Sequence, residues 1–412
     1  MRWLKLWKTR ILLFFAVVGP GFITSNVDND AGGIYTYSFA GARYGYQLLW
    51  TIVPMIIALV VIQEMAARMG AVTGKGLSDL VREEFGLRLT FLMMLALVVT
   101  NFGNVVAEFA GVASSLELFD VPKWISVPGA ALLVWLLVVK GTYKSVEKIF
   151  LVAVFFYVAY IGAAVLSRPH WLEALVSTVP RPTRMPFTDA GYLYMVTAMI
   201  GATIAPWQMF YLQASVVEKG VTVRTYKLAR IDVIVGAIVA PIVAGFIVIA
   251  CAALYQAGHT EIHDAADAAY ALRPLAGKYA SILFAFGLFN ASLFAASILP
   301  LSTAYTVCEG LGLESGIDKK FSEAPAFYWL YTALIVAGAG VILWPDFPLL
   351  KITVLSQVVN GVLLPFVLFF MIKLVNKKDL MGNHVNSRLY NGVAWVTAGG
   401  TALLTLVLVW MS

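Results

Sequence analysis

Charge is scarce in this 412-residue chain: only 13% of its residues are Asp, Glu, Lys or Arg, against 60% hydrophobic, and the mean hydropathy is +0.83. So little charge cannot coat a soluble fold, and the composition describes a polytopic membrane protein instead. Cysteine is nearly absent. Cys251 and Cys308 each lie in an apolar run without metal-ligand spacing, which excludes a disulfide framework and leaves them as small core residues. Histidine is limited to His170, His259, His263 and His384, all between apolar runs, so no imidazole is on offer inside the membrane. His259 and His263, at helical spacing, mark no more than an external metal-site candidate. Without a buried His, Ser/His or His/Glu constellation, an intramembrane enzyme has no machinery, and the chain is read as a non-enzyme without a resident cofactor. The net charge of +6 could suit nucleic acid, but the basic residues are spread over short connections, so no nucleic-acid partner is expected. Long hydrophilic stretches are missing too. Residues 167–189 and 258–278 are the longest, too small for a core of their own, and 264–275 could form a short surface helix.

What is present is a succession of apolar stretches of about 20 residues, giving about eleven candidate transmembrane helices. They lie near residues 11–42, 47–70, 89–118, 123–140, 146–166, 190–217, 230–256, 279–311, 326–344, 349–373 and 390–411. The basic start at residues 2–10 runs into apolar sequence that continues without a small-residue cleavage site, so the first segment is expected to remain a span. With the N-terminus in the cytoplasm, 21 of the 29 Lys and Arg fall on the cytoplasmic side and eight on the other. The positive-inside bias therefore predicts a multi-pass plasma-membrane protein with its N-terminus cytoplasmic and its C-terminus extracellular. Trp124, Trp344 and Trp410 near span ends suit interfacial belts. The lipid bilayer is its surrounding partner, and no obligate protein partner is evident.

Two of these segments are interrupted. The first carries Gly19-Pro20-Gly21 and then Asp28-Asn29-Asp30-Ala31-Gly32-Gly33, two carboxylates beside a glycine pair. Carboxylates at bilayer depth cost several kcal/mol and face a cavity, an ion or a partner rather than lipid. The sixth carries residues 201–208 with Pro206, which lacks an N–H and so frees a carbonyl one turn earlier, near Ala202. Taken alone the second would be an ordinary proline kink. Paired interruptions in the first helix of each group of five instead point to an inverted-repeat transporter whose unwound backbone meets its substrate at the midplane. Side chains placed to converge there are Asp28, Asn29, Asp30, Gln208 and, in the tenth segment, Gln357, all oxygen donors suited to hard divalent cations.

Several stretches then match one family: Gly19-Pro20-Gly21-Phe22 before Asp30-Ala31-Gly32-Gly33, residues 63–68 running to Gly74-Lys75-Gly76-Leu77-Ser78-Asp79-Leu80, Ala107-Glu108, Ser356-Gln357 with Leu364-Pro365-Phe366, and Leu380-Met381-Gly382. The chain resembles the NRAMP divalent metal transporters from about residue 19 to 382. The resemblance implies an all-α, LeuT-type fold in one membrane transport domain, with inverted repeats at residues 11–166 and 190–373, an additional helix at 390–411, and a metal site between broken helices 1 and 6. NRAMP transporters of Mn²⁺ and Fe²⁺ carry Asp-Pro-Gly-Asn in helix 1, where this chain has Asp30, Ala31, Gly32 and Gly33. Their helix 6 carries Met-Pro-His, where this chain has Ala205, Pro206 and Trp207. The asparagine and the soft methionine sulfur are both missing, which removes the main selection against Mg²⁺ and Ca²⁺ and is expected to enlarge the site at Gly33 and Ala205. Mg²⁺ keeps several waters, so a roomy oxygen-lined site suits it. The pattern resembles the NRAMP-related magnesium transporter branch.

The family's acidic pair in helix 3 is reduced here to Glu108, with Val105 three residues earlier, and residues 324–333 lack the arginine pair of helix 9, so a proton wire is interrupted. The expectation is transport of Mg²⁺, with Mn²⁺ also carried, by alternating access without a proton. Asp30 is the central ligand, Asp28 and Asn29 stand close by, Val27 and Ala202 offer carbonyls, and Gln208 and Gln357 complete an outer shell around the gap at Gly33 and Ala205. Two alternatives stay open: a proton-coupled Mn²⁺/Fe²⁺ importer, and an amino-acid or organic solute transporter on the same fold. Simpler roles are expected elsewhere: Glu64 and Arg68 as a helix-end ion pair, Asp232 on backbone or a loop arginine, and Met209, close to the helix 6 break, as core.

Overall fold

With no water inside a bilayer to satisfy peptide groups, an open chain can cross it only as helices. The computed structural model describes residues 19–180, 185–258, 265–344 and 349–411, and among these the regular structure is entirely helical. The first span is split into α1 (Pro20–Asn26) and α2 (Ala31–Tyr44). Then come α3 (Ile52–Thr73), α4 (Leu77–Phe85), α5 (Leu87–Glu117), α6 (Lys123–Val139), α7 (Tyr143–Phe155) and α8 (Val158–Leu166). The second half holds α9 (Ala190–Thr203), α10 (Pro206–Glu218), α11 (Tyr226–Gln256), α12 (Ala265–Leu311), α13 (Pro325–Leu343), α14 (Leu349–Val375) and α15 (Arg388–Met411). Nine helical stretches among the described residues are long and apolar enough to cross a membrane. The 17 residues of α6 reach ~25 Å, short of the ~30 Å hydrocarbon core, and α1 and α2 have only 7 and 14 residues, so none of these counts among the nine.

The structure departs from the sequence reading in three places, while residues 11–18 of the first expected span and the histidines His259 and His263 lie outside the described residues. The expected surface helix at 264–275 is no separate element: from Ala265 the chain is helical without interruption to Leu311, because its alanine-rich start has the highest helix propensity and carries straight into the span. The fifth span is not one helix but α7 and α8, separated at Phe156–Tyr157. There the Asn290 side chain of α12 donates to the Ala153 carbonyl at 2.8 Å, while Phe156 N–H turns to that same carbonyl three residues back at 3.1 Å. Third, the sequence reading contains no counterpart of α4. It is a short amphipathic helix whose buried residues, Leu77, Ser78, Leu80 and Val81, fall within and beside the Gly74-to-Leu80 stretch.

The packing explains why the breaks end up enclosed. α5 and α12 form the most extensive pair, α11 runs along α1, α2 and α3, α9 lies on α14, and α10 lies on α3. α2 also touches α5, α12 and α14, so both interruptions sit inside a ring of long helices. α15 packs mainly on α14 and exposes most of its length. Cys251 and Cys308 are buried and unbridged, and Trp124, Trp344 and Trp410 are exposed at span ends.

A helix as short as α1 cannot stand on its own hydrogen bonds, since its first-turn N–H groups have no intrahelical partner. Asp232, in the second turn of α11, satisfies them: its Oδ1 accepts from Gly19 N–H at 2.8 Å and Phe22 N–H at 3.2 Å, and its Oδ2 accepts from Gly21 N–H at 2.8 Å. The carboxylate therefore acts on backbone, as one of its two expected partners, and complements the positive end of the helix. Removing it leaves three donors unpaired, two of them buried. Asp232→Ala is expected to destabilise the protein by about 2–4 kcal/mol, read as a lower unfolding midpoint in detergent, with Asp232→Asn recovering part of the loss.

Candidate metal site between the broken helices

The first break is shorter than the sequence suggested. It spans Val27 to Asp30, not 28 to 33, because Asp30 caps the next helix and brings Gly32 and Gly33 inside α2. Asp30 is extended at φ −75° and ψ −179°, and its Oδ1 accepts from Gly33 N–H at 2.6 Å. Beside it, Ala31 N–H donates to Glu108 Oε2 of α5 at 3.0 Å. Because Ala31 N–H is turned to Glu108, the Val27 carbonyl loses the donor a continuous helix would have given it. The second break is at Ile204 and Ala205. Pro206 opens α10 without an N–H, so the Ala202 carbonyl loses its donor in the same way.

A chain of amides ties the two breaks together. Gln208 Nε2 donates to Asp28 Oδ1 and to the Thr203 carbonyl at 3.1 Å, and its Oε1 accepts from Gln63 Nε2 of α3 at 2.7 Å. Gln63 Oε1 in turn accepts from the Ser25 hydroxyl of α1. Tyr37 of α2 and Thr203 of α9 share a hydroxyl–hydroxyl bond of 2.8 Å on the other side of the breaks. The structure thus brings Asp28, Asp30, Gln208, Val27 and Ala202 to the two interruptions, and Gln357 reaches them from α14. Its amide lies on the bare Cα of Gly32, with Cδ 3.1 Å from where a Cβ would stand. Asn29 is drawn differently: its Nδ2 donates to the Ala240 carbonyl of α11 at 3.2 Å. Gly33 corrects the expectation of added room. A Cβ there would collide with the Asp28 carbonyl, so at that position the missing side chain's space holds backbone oxygen rather than open volume.

These donors are all hard oxygens, and several are uncommitted. Asp28 Oδ2, Asn29 Oδ1 and Glu108 Oε1 are buried and find no hydrogen-bond partner in the protein. None of the ion pairs among the described residues involves Asp28, Asp30 or Glu108. Buried carboxyls without a basic partner are strongly disfavoured as anions unless a cation or a proton offsets them. Among the described residues no group of three or more His, Cys, Asp or Glu side chains stands close enough to hold a metal alone, so a cation here would draw on amide and carbonyl oxygens and on water. Soft donors point elsewhere. Met209 belongs to a different apolar cluster from Ala202 and Ala205, packed with residues such as Met65 and Leu212. His170 and His384 are exposed.

Two residues of this arrangement escaped the sequence reading as site members. For Glu108 the sequence points to the survivor of an acidic pair or to a structural partner of a buried polar group, and a lone carboxylate in the middle of an apolar span is itself the signal. For Gln63, which belongs to a family stretch, the mid-span amide is the clue. Glu64 and Arg68 are paired at 3.1 Å as expected, but as part of a larger network: Glu64 also meets Tyr226 at 2.6 Å and Arg230 at 3.5 Å, while Arg68 donates to the His384 carbonyl at 2.7 Å. Gln208 links Asp28 of the first break to the Thr203 carbonyl just before the second. Gln208→Leu is expected to weaken divalent-cation binding roughly ten-fold or more in titration calorimetry, with helical content unchanged by circular dichroism.

Comparison with known proteins gives one consistent answer. Residues 21–411 match the family described as Nramp, natural resistance-associated macrophage protein-like. A divalent metal cation transporter, MntH, of Ralstonia nicotianae is 33% identical over 99% of this chain and 92% of its own length. The protein of the same description from Deinococcus radiodurans is 27% identical over 97% of this chain and 90% of its own. Among solved structures, a manganese transporter of Eremococcus coleocola aligns with a TM-score of 0.77 at 22% identity, over 98% of this chain and 87% of that one. The amino-acid-bound MhsT structure aligns at a TM-score of 0.59 and 13% identity. At these identities the structural likenesses speak for the fold, which is of the LeuT type.

Proposed function

Because the chain belongs to the Nramp family, we propose that it moves divalent metal cations across the plasma membrane by alternating access, preferring Mg²⁺, also carrying Mn²⁺, and needing no proton. The observation that carries this reading is the donor set: carboxylate, amide and main-chain oxygens stand at two helix breaks, with Ala205 where a thioether would sit and the two described histidines, His170 and His384, exposed. Thiolate and thioether ligands favour later transition metals, whereas oxygen alone does not discriminate against Mg²⁺. Asp30 is the central acceptor, Asp28 is held by Gln208, and the Val27 and Ala202 carbonyls add main-chain oxygens. The remaining coordination is water, which suits an ion that dehydrates reluctantly. The loop charge bias supports a cytoplasmic N-terminus and an extracellular C-terminus.

One observation favours a proton-coupled Mn²⁺/Fe²⁺ importer as the second reading. Glu108 Oε2 accepts from the N–H of Ala31, the residue after Asp30, and two buried carboxyls on either side of that residue can share a proton that a metal would displace. Against it stands Val105, buried and apolar one turn before Glu108.

In proteoliposomes containing an Mg²⁺-sensitive dye, the wild type is expected to take up Mg²⁺ without internal acidification, and Asp30→Ala to abolish uptake. Mn²⁺ uptake that excess Mg²⁺ does not compete away would sink the Mg²⁺ reading; acidification accompanying the metal would establish the alternative. Ala205→Met restores a soft donor and is expected to shift selectivity toward Mn²⁺ by roughly a decade, about 1.4 kcal/mol.

A further inference from the structure

Beyond the acidic residues, a second polar group lies alongside the site on helices that are mostly apolar. Asn101, Asn104 and Glu108 recur at i, i+3 and i+7 along α5 and so share one face. Opposite them, Gln357 and Asn360 occupy one face of α14, and Thr303 comes from α12. Asn101 Nδ2 donates to Thr303 Oγ1 at 2.9 Å, Asn360 Nδ2 to Gln357 Oε1 at 3.2 Å, and Gln357 Nε2 to Asn104 Oδ1 at a long 3.5 Å. All four amides are at most 2% exposed. Yet Asn101 Oδ1, Asn104 Nδ2 and Asn360 Oδ1, like Glu108 Oε1, find no hydrogen-bond partner in the protein.

Unpaired amide groups in a dry interior each cost about 1–3 kcal/mol. If the cluster served only to hold α5 against α14 and α12, leucine-sized apolar side chains would pack there without that cost. Water resolves the imbalance, because one molecule can both donate and accept and is held where two to four polar partners converge. Amides suit it in either orientation, and they neither titrate near neutral pH nor bring a charge that would trap a cation. The cluster is not remote from the site, since Gln357 belongs to both: its amide group rests on Gly32 in the first turn of α2, one residue from Ala31 and two from Asp30.

We propose that Asn101, Asn104 and Asn360, with Gln357, form a water-holding annex to the metal site that keeps part of the transported ion's hydration shell and so determines which ion is accepted. Gln357 receives a water of the bound cation, and the asparagines hold the waters behind it. The inference rests on the Mg²⁺ reading above and deepens it, assigning selectivity to neutral residues that do not touch the ion. The ions differ in what the annex offers them. Mg²⁺ surrenders water reluctantly, whereas an ion that exchanges water for direct protein ligands more readily gains less from an annex.

The test is uptake of Mg²⁺ and Mn²⁺ by the same proteoliposome preparations of wild type, Asn104→Leu and Asn360→Leu, with unfolding midpoints measured in parallel. The expected result is a KM for Mg²⁺ raised roughly ten-fold in each variant, a KM for Mn²⁺ changed less than about three-fold, and partial recovery in Asn104→Ser, which restores a water-binding hydroxyl. Equal losses for both ions, or no loss for either, in variants that keep the wild-type midpoint would overturn the annex while leaving Mg²⁺ transport standing. A wild type that carries Mn²⁺ and not Mg²⁺ overturns both readings. Should one leucine variant fail to fold, the other and Asn104→Ser still give the Mg²⁺-to-Mn²⁺ ratio.

Discussion

Interrupting a helix inside a membrane frees backbone donors and acceptors where no water can take them, and the rest of this structure is arranged around that constraint. Carboxylates on neighbouring helices take the freed N–H groups. Asp232 on α11 receives three at the start of α1, while Asp30 and Glu108 receive those at the start of α2. The freed carbonyls are left otherwise: those of Val27 and Ala202 have lost their helical donors, one to Glu108 and the other to proline chemistry. The same arrangement that keeps the half-helices stable therefore leaves the Val27 carbonyl, next in sequence to Asp28, and the Ala202 carbonyl without their helical donors, as the proposed cation site needs.

Coupling between the two breaks follows from the amides. Ser25, Gln63, Gln208 and Asp28 form one hydrogen-bonded chain through α1, α3, α10 and the first interruption. Each glutamine donates with its nitrogen and accepts with its oxygen, so a change at one end alters the partner available at the other. Alternating access requires that an ion seated at one break bias the other. This chain supplies a physical connection for that in the proposed transport cycle, with Tyr37 and Thr203 forming a second tie between α2 and α9.

The proposed selectivity rests on what each ion gains by exchanging water for protein. Asp28 and Asp30 offer negative charge, which any divalent cation accepts. Discrimination must then come from the ligands that are soft, rigid or wet. The soft one is absent at Ala205, and at Gly33 the Asp28 carbonyl stands where a side chain would begin. The wet ones are the amides of α5 and α14.

The sequence by itself determined the membrane class, the helical architecture and both interruptions, because apolar run length, proline chemistry and misplaced carboxylates act locally and survive in a linear reading. Asp28, Asp30, Gln208 and Gln357 were legible for the same reason: each is a polar residue in an apolar run, and desolvation makes such a residue conspicuous. What the sequence could not carry was partnership. That Asp232 would cap α1 across more than two hundred residues, that Glu108 would take Ala31 N–H, that Asn29 would turn to α11, and that Gln63 would join Gln208 were decided only when α3, α5 and α11 closed around the breaks. The split of α7 from α8 belongs with them, since Asn290 on a distant helix takes the Ala153 carbonyl. A side chain's residue type fixes what it can bond. Packing alone fixes which unpaired backbone group lies within reach.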